Sequence, residues 1–413
     1  GMPGTGKSST IAMLVRILVE LGQRVLLCSH THSAVDTIVS KLLDAPVLRL
    51  GPLSRVHPRV HACTLTARLG TCATSEEVVQ VVAEAQVVAA TCLGTSDAVL
   101  ARRAFDVCII DEASQITVPT CLGPLRLADR FVMIGDHHQL TPLVRDTDAA
   151  QHGMSVSLFQ RLCKAHPSSV AMLCTQYRMN ADIMALSNAL VYDGRLVCGN
   201  ESVACAKFTM KRDACPSWLW DVLDPARPAV FVDTDAVKAV ESRADTLVEN
   251  RVEAEWIVRM SDVLIQANVA AADIGILTPY RQQAKLLRDR CACEVLTVDQ
   301  AQGRDWPVVL VSLVRSNKTH TVGELLRDQR RVNVMITRAK TKLVLVGSYS
   351  TMIHGPCTEP MPALLPLLRM IQPKEPADIP VHVSPGRQRY VKKARRPTPV
   401  VTDLLNEQDC IAE

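Results

Sequence analysis

The sequence predicts an α/β protein built from two doubly wound parallel sheets in tandem. Three observations predict it. Short runs of Val, Leu, Ile and Ala alternate with segments of helical spacing, as when parallel strands are covered on both faces. The alternation restarts in the second half of the chain, after residues 165–170. Aromatics are only 3% of the 413 residues, so the cores must be aliphatic, which suits helices layered on sheets.

Taken in order, Ser8 to Leu21 has helical spacing and stops at Gly22, a natural C-cap. Arg24 to His30 is a short apolar run, expected as a buried strand, and residues 33–43 return to helical spacing. Thr74 stands three residues before Glu77, a capping box that opens a helix to Ala85. Gln86–Thr91, Phe105–Ile110 and Arg130–Ile134 are expected as further buried strands. In the second half the strands are Ala229–Asp233, Ile274–Thr278, Val295–Val298, Val308–Val311 and Lys342–Val346. Glu249–Ala267 and Arg281–Arg290 are helices, and residues 199–228 are an irregular excursion. The expected domains are 1–165 and 166–372. Residues 373–413 form a Pro-rich tail with Arg387, Arg389, Lys392, Lys393, Arg395 and Arg396. Its composition is that of a solvated, disordered basic tail, with a nuclear-import signal or a nucleic-acid arm as the alternative.

Composition removes several function classes. A net charge of +4 carries no bulk electrostatic case for nucleic acid, so any basic surface is local. Fifteen cysteines lie scattered in apolar runs such as Val25–Cys28, where Cys acts as a small hydrophobe in a reducing compartment. No Cys-x-x-Cys pair occurs, which argues against a zinc or iron–sulfur site in this chain. No apolar run is long enough to span a bilayer, and no secretory signal peptide is expected.

The chemistry begins at Gly1-Met2-Pro3-Gly4-Thr5-Gly6-Lys7-Ser8, a G-x-x-x-x-G-K-[ST] loop followed by Ser9 and a long amphipathic helix. Such a loop cradles phosphate oxygens with backbone N–H groups at a helix N-terminus. Lys7 should then reach the β- and γ-phosphates, and the Ser8 hydroxyl should bind Mg²⁺. The strand Phe105–Ile110 runs into Asp111-Glu112, an acidic pair placed to serve the metal and the attacking water. A chance glycine turn and a solvated pair of carboxylates are the bland readings. The helix after the loop and the buried strand before the pair make both the weaker option.

From here a family resemblance enters. Asp111-Glu112-Ala113-Ser114-Gln115 resembles the Walker B motif of superfamily-1 helicases in the nonsense-mediated-decay-helicase-like group. Ser29–Asp36, Gly135–Leu140, Gln176–Asn180, Thr278–Gln283, Val298–Asp305 and Arg330–Lys340 resemble its further motifs in the family's order. Together they cover roughly residues 1–350. Within the group the sequence is most similar to the eukaryotic DNA replication helicase/nucleases, through Thr31–Asp36, Cys121–Leu125, Val314–Lys318 and Val322–Leu326.

The resemblance implies two tandem RecA-like P-loop NTPase domains with ATP in the cleft between them. Tyr177 would stack on adenine, and Gln139 would sense the γ-phosphate. Arg178 and Arg338 would act as arginine fingers from the second sheet. Gln302, Gly303 and Asp305 would lie near the nucleotide, and Asp111 would hold Mg²⁺ with Ser8. Thr31, Ser33, Thr91, Thr278, Tyr280 and Thr297 would contact single-stranded nucleic acid, mainly its backbone. The bland reading is a helix cap for Ser33 and a half-buried strand residue for Thr297. The implied activity is a 5′-to-3′ DNA helicase on single-stranded or flapped DNA, in the nucleus or the mitochondrion. Single-strand-binding protein and other replication proteins would be its partners.

An RNA helicase of the same group and a non-catalytic nucleic-acid-binding fragment are the competing expectations. Thr141, Ala301 and Met335 depart from the family's residues without removing a catalytic group. A P-loop ordinarily follows a buried strand, and none precedes Gly1, so the chain is expected to be a fragment. The nuclease domain of the family, with its iron–sulfur cluster, would lie upstream.

Overall fold

The computed structural model describes residues 1–70, 74–101, 103–244, 247–353, 364–371 and 373–374. In the first half, β1 (Val25–Ser29), β2 (Val47–Arg49), β3 (Val87–Thr91), β4 (Phe105–Asp111) and β5 (Ala128–Met133) form one parallel sheet. Its order is β2-β3-β1-β4-β5. Two short strands, β6 (Thr175–Gln176) and β7 (Val197–Cys198), pair with each other in parallel. The second sheet draws on β8 (Ala229–Asp233), then β11 (Ile274–Thr278), β12 (Glu294–Thr297), β13 (Trp306–Ser312), β14 (Ala339–Gly347) and β15 (Pro373–Lys374). Between β8 and β11, β9 (Ser242–Ala244) and β10 (Leu247–Glu249) make an antiparallel pair. The second sheet is ordered β12-β11-β13-β14-β8-β15, so both large sheets are parallel with crossover connections.

Local signals explain the elements. Helix α1 (Lys7–Glu20) ends at Leu21, and Gly22 follows at φ 73°. Both halves of the Thr74–Glu77 capping box are formed. β1, β3 and β11 are buried at every position, as their unbroken apolar runs require. Eight of the described cysteines are buried, and the described cysteines are free thiols. No helix among the described residues is long and apolar enough to cross a membrane.

Two expectations change. β5 is not a buried strand, because Phe131 and Val132 are exposed. It pairs only with β4, and its other edge borders an apolar slot of about 720 Å³ lined by Phe131–Gly135 and by Ser169–Leu173. Pro373 and Lys374, assigned to the tail, pair with Phe231 and Val232 on the edge of the second sheet. The remainder of the expected tail, with its basic cluster, lies outside the described residues.

The loop after β13 is strained and tied down from beneath. Val314 has φ 72°, a left-handed conformation that a β-branched residue adopts only when its surroundings impose it. Glu253, fully buried in the helix Arg251–Gln266, accepts from the Val314 N–H at 2.8 Å and the Ser312 hydroxyl at 2.7 Å. Asn250 Nδ2 donates to the Val314 carbonyl at 3.1 Å. Burial, only partly offset by those donors, pushes the Glu253 carboxyl up to about 8. A carboxyl raised in the folded state contributes stability that is complete below its unfolded pKa and lost as pH rises through its folded one. Wild-type unfolding free energy should therefore fall relative to Glu253→Gln between about pH 4.5 and pH 8. The slope in that window should be on the order of 1.4 kcal/mol per pH unit. Paired denaturant titrations check it; a difference independent of pH would refute the assignment.

Candidate active site

Ligands of doubly wound sheets sit at the carboxyl ends of the strands. Gly1–Gly6 lies there and leads into α1. Gly4 and Gly6 hold φ of 71° and 76°. A Cβ on Gly4 would also come within 2.7 Å of Arg178 Cβ, so backbone approach demands glycine there. The Gly4 carbonyl accepts from the Tyr177 N–H at 2.9 Å, which joins the loop directly to the segment Gln176–Asn180. Gly6 caps α1 without any side-chain bond; the Ser9 N–H turns back to the Gly6 carbonyl at 2.9 Å, which leaves the Lys7 and Ser8 N–H groups for an anion. Lys7 Nζ donates to the carbonyls of Gly1 and Met2 at 3.0 and 3.3 Å, and the Thr5 hydroxyl donates to Met2 at 2.8 Å. Ser8 and Ser9 lie in the first turn of α1, and Pro3 is buried in the turn of the loop.

Asp111 ends β4, buried, and its Oδ1 has no hydrogen-bond partner among the described residues. Burial and then the neighbouring Glu112 push its carboxyl up to about 7, while Lys7 pulls it back. A buried carboxylate oxygen left without a donor is the kind of group a hard cation satisfies. With the Ser8 hydroxyl on α1, these residues fit Mg²⁺. Glu112 follows at φ 51°, a strained turn, and accepts from Gln115 Nε2 at 2.9 Å. Gln139 is buried, and its Nε2 donates to Asp136 at 2.8 Å.

Residues from the second half of the chain close the other side. Gln176 is fully buried and accepts the N–H groups of Arg178 and Met179, which shapes the turn. Tyr177 is 60% exposed, its ring lying against the backbone of Gly199. An exposed aromatic face beside a phosphate loop suits a purine ring. Arg178 pairs with Asp305 at 2.8 Å and donates to the Thr337 carbonyl at 3.3 Å. Lys340 takes the other oxygen of Asp305 at 2.7 Å. Burial alone would raise the Asp305 carboxyl, but Arg178 and Lys340 hold it below the usual range. Arg338 is buried and donates to the Val334 and Arg304 carbonyls and the Thr337 hydroxyl, each at 3.0 Å. Burial and then the charge of Arg178 bring Arg338 down to about 9. Both Gln302 side-chain heteroatoms are buried without a partner among the described residues, and Gly303 beside it holds φ 80°.

The nucleic-acid candidates divide. Thr31 and Ser33 are exposed at the carboxyl end of β1 and share a 3.2 Å hydrogen bond. Thr31 also caps α2 (His32–Val39). Thr91 and Thr297 are nearly buried; Thr91 accepts from Gly94, and Thr297 forms a capping box with Gln300. Thr278 is fully buried and accepts from the Tyr280 N–H, so in this arrangement it offers no surface to a strand of DNA. The Tyr280 hydroxyl is turned inward beneath Gly323 and Arg315.

Two residues that motif reading passed over hold this face. Glu241 pairs with Arg315 at 2.8 Å, both nearly buried, and accepts from Ser316 N and Asn317 Nδ2. Their 74-residue separation leaves no local signal. In the first sheet Arg49, fully buried, pairs with Asp36 at 2.8 Å and reaches His32 Nδ1 at 3.0 Å. That fixes the turn that carries Thr31 and Ser33.

Comparison with known proteins follows the same division. One AAA domain model matches residues 1–77 and 71–146, and a second AAA domain model matches 154–350. The DNA replication ATP-dependent helicase/nuclease DNA2 of Homo sapiens is 45% identical over 390 residues, covering 88% of this chain and 36% of that protein. The DNA replication ATP-dependent helicase/nuclease JHS1 of Arabidopsis thaliana is 44% identical over 364 residues, covering 86% and 27%. The chain is a superfamily-1, DNA2-like helicase part.

In this helicase part the first AAA match contains the whole first sheet, and the second contains β8 to β14. The chain spans about a third of the length of the human relative. The DNA2 of Saccharomyces cerevisiae is 41% identical over 373 residues, covering 85% of the chain and 24% of that protein. Among solved structures, an Arterivirus nonstructural protein 10 (helicase) matches with a TM-score of 0.43 and 16% identity, over 84% of this chain and 58% of that one.

Proposed function

We propose that this helicase part hydrolyses ATP to move along single-stranded DNA, 5′ to 3′, as the motor of a DNA replication and repair helicase/nuclease. The observation that carries it is the direct meeting of Gly4 with Tyr177 and Arg178, which sets the phosphate loop of the first sheet against an arginine of the segment that leads toward the second. The names of the relatives supply DNA replication as the setting, and with it the nucleus, with the mitochondrion as the alternative. Flapped DNA is the further substrate, and single-strand-binding protein and other replication proteins are the partners in this reading.

The residues divide the work. The loop Gly1–Gly6 and Lys7 hold the phosphates, and Tyr177 holds the adenine. Ser8 and Asp111 would hold Mg²⁺, which would supply positive charge to offset that of the phosphates. Glu112 orients a water and takes its proton as the water oxygen bonds to the γ-phosphorus. The bond to the β,γ-bridging oxygen breaks, and ADP and phosphate leave. Gln139 orients the water and registers loss of the γ-phosphate. Arg178 and Arg338 stabilise the charge that spreads over the phosphoryl oxygens.

The test is single-stranded-DNA-stimulated ATPase of the wild type beside Lys7→Ala and Glu112→Gln. Each substitution should lower kcat by about 100-fold or more. Glu112→Gln should still bind ATP, because it keeps the loop intact. Hydrolysis that persists in both variants would refute the mechanism. Stimulation by single-stranded RNA but not DNA would refute the substrate.

A further inference from the structure

We propose that Tyr192 is a positioning residue that locks the phosphate-sensing loop of the first sheet to the arginine-bearing helix of the second. The proposal rests on the roles given above to Gln139 and Arg338. Tyr192 lies in the π-helical turn Asn188–Tyr192, far in sequence from both.

Its hydroxyl donates to Asp136 Oδ2 at 2.6 Å. The same oxygen accepts Gln139 Nε2 at 2.8 Å, and Asp136 Oδ1 accepts the His138 N–H at 3.0 Å. Across the cleft, Asn333 Nδ2 in the helix Gln329–Ile336 donates to the Tyr192 oxygen at 2.9 Å and to the His138 carbonyl at 3.0 Å. Ser187 fixes the amide by donating to Asn333 Oδ1 at 2.8 Å. The Asn333 carbonyl then accepts the Thr337 hydroxyl at 2.7 Å, and that hydroxyl accepts Arg338 Nη2 at 3.0 Å. An unbroken line of hydrogen bonds thus runs Gln139–Asp136–Tyr192–Asn333–Thr337–Arg338.

Asp136, Tyr192, Ser187, Asn333, Thr337 and Arg338 are all buried. In low dielectric each bond is stronger than in water, and each unmade bond is costly. Burial and then Asp136 keep the phenol protonated, so it stays a donor throughout the working range. Gln139 and Tyr192 share one carboxylate oxygen, so a shift of Gln139 on phosphate release alters the acceptor that holds Tyr192. The Tyr192 ring itself packs in the core with Met179, Ile183 and Leu196, so its packing and its hydroxyl can be separated by substitution.

Tyr192→Phe keeps the ring and removes only the hydroxyl. Its DNA-stimulated kcat should fall about tenfold, the scale set by one hydrogen bond lost from the transition state. KM for ATP should stay within about twofold, because no ATP-holding group is touched. Less DNA should be unwound for each ATP consumed, a ratio that a purely structural tyrosine would leave unchanged. Asp136→Asn combined with Tyr192→Phe should be no worse than the poorer single variant, since both cut the same line. If Tyr192→Phe fails to fold, Asn333→Ser carries the same test from the other side. Wild-type kcat and wild-type unwinding per ATP in the variant would overturn the lock. A wild type whose ATPase DNA does not stimulate would overturn the functional reading and the lock with it.

Discussion

Replacing Arg338 with alanine should lower DNA-stimulated kcat by about 10³-fold or more, with KM for ATP little changed. A guanidinium supplied across a cleft to the transferring phosphoryl group is worth roughly 10³–10⁵ in kcat. Arg338 is placed for that work by its neighbours. Three of its five N–H donors go to Val334, Arg304 and Thr337, one from each nitrogen, which fixes the plane of the group and leaves two for a phosphoryl oxygen. Burial strengthens its field toward a developing charge, as it does for any preorganised donor. Arg178 stands beside it but is neutralised by Asp305, so the two arginines are not equivalent. Arg178→Ala should therefore cost less in kcat than Arg338→Ala. It also leaves Asp305 to Lys340 alone, and that adds a loss of ATP affinity. Steady-state ATPase at saturating single-stranded DNA separates these effects. Arg338→Lys controls for charge: a lysine cannot reproduce the planar fork and should recover little. An Arg338→Ala variant within about tenfold of wild type would remove it from the mechanism.

Much of this site could be read locally. The loop Gly1–Ser8 runs straight into its helix, and Asp111-Glu112 follows its strand, so spacing along the chain was enough to find them. The strands were legible for the same reason: a strand buried on both faces shows as an apolar run, and β1, β3 and β11 do. β5 was misread because Phe131 and Val132 have the composition of buried residues, whereas their exposure is set by which neighbours stand beside the strand. The motif puts Thr278 among the nucleic-acid contacts, and its complete burial is a tertiary fact that the motif does not carry. The Tyr192–Asp136 and Glu241–Arg315 contacts join residues 56 and 74 positions apart. No periodicity carries information over that range. The positions that motif reading misses are those that hold motif residues in place from a distance.

Asp36 and Arg49 are the sharpest such case, and they carry the largest expected effect on stability. Asp36→Ala should destabilise the first sheet by about 3–5 kcal/mol, the scale for leaving one member of a buried ion pair uncompensated. Arg49 is fully buried, and among the described residues its guanidinium bonds, besides Asp36, to the Leu50 carbonyl and His32 Nδ1. Neither can neutralise it. Burial and then Arg49 hold His32 below its usual pKa, so this imidazole is a neutral acceptor for the guanidinium. Asp36 Oδ2 also accepts the His57 N–H at 2.8 Å, so losing the carboxylate releases the turn that follows β2. The cost belongs to the unpaired charge rather than to the pair. Asp36→Leu with Arg49→Met should therefore recover most of the stability, since an apolar pair of similar volume often equals a buried ion pair. Recovery of the fold should not restore function. His32 sits between Thr31 and Ser33, and without the guanidinium it loses the 3.0 Å bond that ties that turn to the end of β2. The double variant should fold near wild type in denaturant titration yet bind single-stranded DNA more weakly, with ATP binding unaltered. If Asp36→Ala unfolds at the wild-type midpoint, the pair carries no stability. If the double variant binds DNA as the wild type does, Arg49 serves the fold alone.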